Sequence, residues 1–269
     1  MLNKTILISG STDGIGKQTA FELADMGATI LVHGRDLTKG RNTVKELTEK
    51  TGNKKIFLHI ADFSSQHQIR RMAREINDKY ERLDVLINNA AVFMKSRELT
   101  EDNIEMTFAV NHLAPFLLTF LLVELLKKSA PSRIINISSA SHLRGKLDFG
   151  NLQGEKKYDG YDSYSISKLG NLLFTYELAE RLKDTGVTVN ALHPGVIATK
   201  ILSTAFNLNG DNLIEGASTP VYMASSDDLN NVTGKYFVKK EEAASSGLSN
   251  DKELQKKFWE LSEKLCSID

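Results

Sequence analysis

Three tyrosines stand close together in the stretch "KYDGYDSYSISKLG": Tyr158, Tyr161 and Tyr164. Four residues further on lie Asp162, Ser165 and Lys168 respectively, so only Tyr164 has a cation one helical turn away. A free phenol titrates near 10 and is a poor acid–base group at neutral pH. An ammonium held beside it favours the phenolate and lowers that value. A Tyr164–Lys168 pair on one helix face could therefore trade protons with an alcohol or a carbonyl. A surface tyrosine beside a solvated lysine has the same spacing, so the elements around the pair must decide.

A second candidate site lies near the start. "SGSTDGIGK" joins an apolar run to a helical pattern, and Gly10, Gly14 and Gly16 permit a tight turn, close backbone approach and helix–strand packing. The helix beginning near Ile15 would aim its free N–H groups at an anion. The spacing is Gly-x-x-x-Gly-x-Gly, and no Gly-Lys-Ser/Thr follows, so the loop reads as a dinucleotide-phosphate turn and not a P-loop. The next apolar run ends at Gly34 with Arg35 behind it. A carboxylate is missing where it would repel a 2′-phosphate, and a guanidinium is present where it could bind one. NADP(H) is therefore favoured over NAD(H), with Asp13 inside the loop counting against that choice.

The elements that must position these groups alternate along the chain. "KTILIS", "TILVHG", "KIFLHIA", "LDVLINNA", "RIINISS" and "VTVNALHPG" read as strands, with "GKYFV" a seventh. Helical patterns lie between them, with Gly27 as a stop, Asp36 as a cap, Pro115 as a break, and Asp162 or Ser163 as the cap of the tyrosine helix. This order predicts an α/β fold: one doubly wound Rossmann domain over residues 1–269, a roughly seven-stranded parallel sheet with helices on both faces. "DKELQKKFWELSEKL" closes the chain, with Trp259 as a packing anchor.

Composition narrows the function. Lys plus Arg and Asp plus Glu balance at 34 each, so no global field favours nucleic acid or an anionic membrane. The single cysteine, Cys266, cannot form an intrachain disulfide and reads as a tolerated thiol, consistent with a cytoplasmic home. No run reaches the ~18 consecutive apolar residues of a membrane span. "FLLTFLLVELL" reads as a buried helix face, and "KKEE" as a solvated charge run. His33 and His59 have no clustered partners in the sequence, so no metal site is expected. His193 reads as a turn former and His142 as a loop residue.

In chain order, "SGSTDGIG", "NNAA", "ISS" and "YSISK" resemble the short-chain dehydrogenase/reductase family, and the segment from "HLRGK" to "HPGV" is most similar to its retinol dehydrogenase-like branch. The resemblance implies Tyr164 as general acid/base, Lys168 as the lysine that lowers its pKa and holds the nicotinamide ribose, Ser139 as the substrate-oxygen donor, and Asn111 as the anchor of a relay water. It implies cofactor contacts from Gly10, Ser11, Thr12, Asp13, Gly14, Ile15, Gly16 and Arg35. Asp62 and Phe63 would lie near the adenine, and Asn88, Asn89 and Ala90 along the groove. Pro194, Gly195, Val196, Ile197 and Thr199 would face the nicotinamide beside Tyr164 and Lys168. Ser9 and Ala91 depart from the family's usual threonine and glycine, which bears on loop and sheet stability more than on chemistry.

The implied activity is hydride transfer between NADP(H) and a small, apolar alcohol, aldehyde or ketone, retinoid- or lipid-aldehyde-like. Residues 197–218 are expected to form a substrate flap. The chain begins almost at its first strand, so the membrane-anchoring leader of some retinol dehydrogenases is not expected, which weighs against a membrane-dissolved retinoid. Relatives often form dimers or tetramers, so a homo-oligomer is the expectation. Two alternatives stand beside this reading. One is a catalytically silent NADP(H)-binding regulatory or scaffold protein, disfavoured because the catalytic set is intact. The other is a sugar-nucleotide epimerase, which shares Tyr-x-x-x-Lys but needs more chain after the sixth strand.

Overall fold

The computed structural model describes residues 1–206 and 210–268. Its centre is one sheet in the order β3-β2-β1-β4-β5-β6-β7-β8. The strands are β1 (Thr5–Ile8), β2 (Thr29–Gly34), β3 (Ile56–Ile60), β4 (Val85–Asn88), β5 (Ser132–Ile137), β6 (Val187–His193), β7 (Tyr236–Val238) and β8 (Glu241–Glu242). The first seven are parallel, as expected. β8 is an addition, a two-residue antiparallel edge in which Phe237 pairs with Glu242. Its two exposed glutamates carry no apolar signal, which is why the sequence pattern stops at seven.

Side-chain alternation assigns each strand residue to a face. Leu7, Leu31, Leu86, Ile134 and Val189 join one core cluster, and Ile6, Ile8, Ile30, Val32, Ile87 and Ile135 join the other. The first face is covered by α3 (Gln66–Lys79), α5 (Ala114–Lys128), α6 (Gly160–Arg181) and α8 (Lys252–Leu265). The second is covered by α1 (Gly14–Asp25), α2 (Leu37–Thr51) and α7 (Leu213–Ser225). With both faces buried, the strands must be apolar throughout.

The strand order reverses between β1 and β4, which are direct neighbours with Ile8 beside Ile87. Open α/β sheets bind ligands at the carboxyl ends of strands flanking such a switch. A buried polar chain braces this region from below. Asn88 Nδ2 donates to Thr119 at 3.0 Å and to Asn136 at 2.8 Å, and Asn136 Nδ2 donates to Thr175 at 2.9 Å, which joins β4, β5, α5 and α6.

Two helix boundaries differ from the sequence reading. The tyrosine helix α6 starts earlier, with Asp159 as its cap, accepting from the N–H of Tyr161 and Asp162. Pro115 causes no break. It occupies the first turn of α5, where its missing N–H costs nothing. The irregularity comes just before it, as a π-helical turn over Ala109–Leu113 that joins the short α4 (Met106–Phe108) to α5. Met106–Lys128 is long and apolar enough to cross a membrane by composition, yet 78% of that window is buried inside the protein, as befits a core helix.

Candidate active site

The glycine loop is held by backbone contact. Gly10 has φ +64°, and a Cβ there would meet Ala90 Cα at 2.8 Å. A Cβ on Gly16 would meet the Gly10 carbonyl oxygen at 2.6 Å. The turn, the end of β4 and the first turn of α1 therefore approach too closely for any side chain. Ser9 completes the clamp: its buried Oγ accepts from the N–H of Asn89 at 2.9 Å and of Ala90 at 3.0 Å. A hydroxyl suffices for this, so serine in place of threonine leaves the clamp intact.

His33, read from sequence as an isolated strand residue, is part of the same structure. Its Nδ1 accepts from the N–H of Gly10 at 3.0 Å, its Nε2 donates to the Ala61 carbonyl at 3.0 Å, and its ring stacks on Phe63 at 4.0 Å. Burial holds the imidazole neutral, pushed down to about 4. No local signal marks this role, because its partners come from the ends of β1 and β3.

Asp13 caps α1 by accepting from the Gly14 N–H at 2.9 Å. Its other carboxylate oxygen meets Lys39 at 2.6 Å and Lys200 at 2.9 Å. The two ammonium groups hold the carboxyl well below the usual carboxylate range. The negative charge that counted against a 2′-phosphate is thus compensated, and Lys39, missed in the sequence reading, stands with Arg35 on the same wall.

The second half of the site comes from β5, the π-helical turn and α6. Ser139 follows β5 and begins a short 3-10 turn, its Oγ within 3.2 Å of the N–H and Oγ of Ser141. His142 fixes that turn from behind: its Nδ1 lies 2.6 Å from the Ser139 carbonyl and its Nε2 accepts from the Ser246 N–H at 3.2 Å. Tyr164 and Lys168 are both buried in α6. Burial pushes the phenol up to about 12, while a hydrogen bond with Ser139 pulls the other way. Burial pushes the Lys168 ammonium down to about 8. The ammonium donates to the Ile137 carbonyl at 3.0 Å and lies 5.5 Å from the Tyr164 ring centre. Burial is thus the larger influence on the phenol and the Ser139 hydrogen bond the smaller, opposing one.

One cleft of about 890 Å³ brings most of the expected residues together. Gly10, Thr12, Asp13, Gly14, Ile15, Gly16, Arg35, Asp62, Phe63, Asn89 and Ala90 line it together with Ser139, Tyr164, Lys168, Pro194, Gly195, Val196, Ile197 and Thr199. Three expected residues lie behind the wall. Ser11 is buried, donating to the Ile8 carbonyl at 2.8 Å and accepting from the His33 N–H at 3.0 Å. Asn88 belongs to the polar chain beneath the sheet switch. Asn111 sits in the π-helical turn, where its side chain accepts from the Val92 N–H at 2.7 Å and donates to the Val92 carbonyl at 3.0 Å and to Ser167 Oγ at 3.1 Å. Its side chain is thus committed to protein partners. A π-turn in a helix is itself a frequent mark of a functional site.

Of residues 197–218, those from Leu213 onward belong to α7. The segment's base is pinned by Ala198 N–H donating to the Asp211 carbonyl at 2.9 Å and Asp211 N–H to Val196 at 2.8 Å. The Tyr161 hydroxyl donates to the Ala205 carbonyl. Residues 207–209 lie outside the described residues. Val196, Ile197, Ile201, Leu202 and Leu213 give this side of the cleft an apolar lining. Among the described residues no cluster of His, Cys, Asp or Glu could hold a metal ion.

The family described as short chain dehydrogenase matches residues 4–208. Retinol dehydrogenase 12 of Mus musculus is 40% identical, covering 98% of this chain and 87% of its own. Retinol dehydrogenase 13 of Mus musculus is 41% identical, covering 98% of this chain and 84% of its own. Among solved structures, an uncharacterised protein from Mycobacterium Paratuberculosis superposes with a TM-score of 0.82 at 30% identity, covering 99% of this chain and 94% of that one. A short chain dehydrogenase from Shigella flexneri complexed with NADP has a TM-score of 0.72 at 25% identity, covering 90% of this chain and 98% of that one. With the glycine turn and the serine, tyrosine and lysine lining one cleft, the chain belongs to the short-chain dehydrogenase/reductase family of oxidoreductases and is retinol dehydrogenase-like.

Proposed function

We propose that the protein transfers a hydride between NADP(H) and an apolar alcohol or carbonyl substrate, with Ser139, Tyr164 and Lys168 as its catalytic residues. The observation that carries this reading is that these three side chains line the same cleft as the glycine turn. The donor set suits a phosphorylated dinucleotide. The α1 N-terminus opens toward the cleft, Arg35 and Lys39 offer cations beside it, and no carboxylate follows Gly34 until Asp36, whose side chain caps α2 through the Lys39 N–H at 2.7 Å. The Shigella flexneri relative complexed with NADP supports the same choice.

When bound, the nicotinamide supplies the hydride for reduction and accepts it for oxidation. The protein's part is to hold the substrate oxygen and move a proton. Ser139 Oγ and the Tyr164 hydroxyl donate to that oxygen as negative charge develops on it. Tyr164 then gives up its proton from Oη, and the Lys168 ammonium stabilises the phenolate left behind. The apolar side of the cleft, lined by Val196, Ile197, Ile201, Leu202 and Leu213, favours a hydrophobic substituent.

The test is oxidation of NADPH and NADH against a panel of aldehydes and ketones, by the native protein and by Tyr164→Phe. The native protein is expected to turn over apolar carbonyls with NADPH, and the variant to lose about 10²–10⁴ in kcat. Equal turnover by the variant sinks the assigned role. Tight NADPH binding without turnover on any carbonyl supports a catalytically silent protein instead.

A further inference from the structure

Glu105 is fully buried, and among the described residues it has no ion-pair partner. Burying a carboxylate is costly unless donors surround it. Here four do. Oε1 accepts from the Thr107 N–H at 2.9 Å and the Tyr158 hydroxyl at 3.0 Å, and Oε2 from the Phe108 N–H at 2.7 Å and the Ser163 hydroxyl at 2.9 Å. The carboxylate thus caps α4 on one side and grips the start of α6 on the other. Its own backbone N–H donates to Gln153 Oε1 at 3.0 Å, which ties in the long segment between Ser139 and Tyr164.

Ser163 immediately precedes Tyr164. On the other side of the tyrosine, one turn on, Ser167 Oγ donates to the Tyr164 carbonyl at 2.7 Å and accepts from Asn111 Nδ2 at 3.1 Å. Glu105 and Asn111 lie six residues apart in the same α4 and π-helical stretch. Tyr164 is therefore bracketed by two polar tethers, Ser163 to Glu105 and Ser167 to Asn111, from a single neighbouring segment. The loop after β4 is held at Val92 by Asn111, and the Met94 carbonyl lies 3.1 Å from the Tyr158 hydroxyl whose proton goes to Glu105.

We propose that Glu105 is a positioning residue for hydride transfer, holding the first turn of α6 so that the Tyr164 hydroxyl meets the substrate oxygen beside Ser139. This inference rests on the proposed oxidoreductase reading. An apolar residue would fill the same space without the cost of a buried charge, and what it could not do is accept four directed hydrogen bonds from three segments at once. The glycine turn between β1 and α1, Arg35 after β2 and Lys39 on α2 lie away from this hub, so their hold on the phosphates is independent of it.

The experiment is single-turnover hydride transfer from bound NADPH to an aldehyde that the native protein reduces, measured on Glu105→Gln. The amide keeps the shape but turns a donor toward two of the four donors. A misplaced Tyr164 lowers the rate constant, by about tenfold or more, while the amplitude per protein chain at saturating NADPH stays at its native value. A purely structural role lowers the amplitude, as folded protein is lost, with a native rate constant, and that result overturns the proposal. Should Glu105→Gln not fold, Ser163→Ala removes only the bond next to the tyrosine, and a native rate constant in that variant overturns the proposal equally. A native protein that reduces no carbonyl means that the oxidoreductase reading itself fails. A native protein that reduces and a Tyr164→Phe that does not, beside fully native rate constants in both hub variants, mean that only the positioning role fails.

Discussion

The Lys168 ammonium lies 5.5 Å from the centre of the Tyr164 ring and donates to the Ile137 carbonyl at 3.0 Å. The ammonium is thus anchored on a strand carbonyl, and burial pushes it down to about 8. The phenol, pushed up to about 12, stays protonated across the neutral range, the form needed to protonate a carbonyl oxygen.

The buried lysine predicts a trade between activity and stability. Its folded value lies below its unfolded one, so between pH 8 and 10.5 the unfolded chain holds more protons and stability rises with pH. Below pH 8 the cost of burying the charge is present in full. Lys168→Met is expected to abolish turnover and yet to raise stability at pH 7, by up to roughly 3 kcal/mol less the lost bond to Ile137. The gain should shrink as pH rises from 8 to 10.5, where native Lys168 is neutral when folded and half charged when unfolded, and vanish above that. Urea unfolding at the two pH values checks it, and a variant less stable than native at pH 7 contradicts it.

The seven parallel strands and the glycine turn were legible because each depends on local pattern: continuous apolar runs and glycines between a strand and a helix. His33, Lys39 and Glu105 were not legible as site residues. Each acts through partners distant in sequence, as when His33 clips Gly10 to Ala61. Asn88 and Ser11 were read as groove residues because they sit inside groove motifs, but strand alternation turns the Asn88 side chain inward, and Ser11, in the turn after β1, is held inward by the Ile8 carbonyl and the His33 N–H. The cap of α6 was misplaced because Asp159, Asp162 and Ser163 all suit a cap, and only Asp159 reaches free N–H groups.

Cofactor choice is tested at the Asp13 cluster. Arg35→Ala and Lys39→Ala are each expected to raise the KM for NADPH by about tenfold or more, from the loss of a charged hydrogen bond, while leaving that for NADH within about twofold. Lys39→Ala leaves Asp13 with Lys200 as its remaining cation, so this variant should show the larger effect. Equal loss with both cofactors would mean that the cations hold the loop and do not read the phosphate. Initial rates with each cofactor at saturating carbonyl decide it.

The Ser9 clamp makes a stability prediction free of any assumption about the reaction. Ser9→Ala leaves the part-buried N–H groups of Asn89 and Ala90 without their acceptor. The expected loss is about 1–3 kcal/mol in urea unfolding. Ser9→Thr restores the acceptor and should recover most of it. If the threonine variant is as unstable as the alanine one, the clamp acts through packing and not through its hydrogen bonds.

Acid should open the glycine turn through His33. Its Nδ1 accepts the Gly10 N–H, so the imidazole must be neutral there, and protonation would set a donor against a donor. Burial lowers its folded value to about 4 from an ordinary 6.5. The unfolded chain therefore binds the proton first, and the stability contributed by neutral His33 is complete above pH 6.5 and lost as pH falls toward 4. Its slope reaches at most about 1.4 kcal/mol per pH unit. His59 and His193, also held near 4 by burial, add to the same slope. Replacing His33 by Asn removes its share of that slope while costing stability at pH 7 through the lost bonds to Gly10 and Ala61. Urea unfolding of both proteins at half-unit steps from pH 7 to 4 should give a shallower curve for His33→Asn. Parallel curves would mean that His33 is already protonated, or never protonated, across this range.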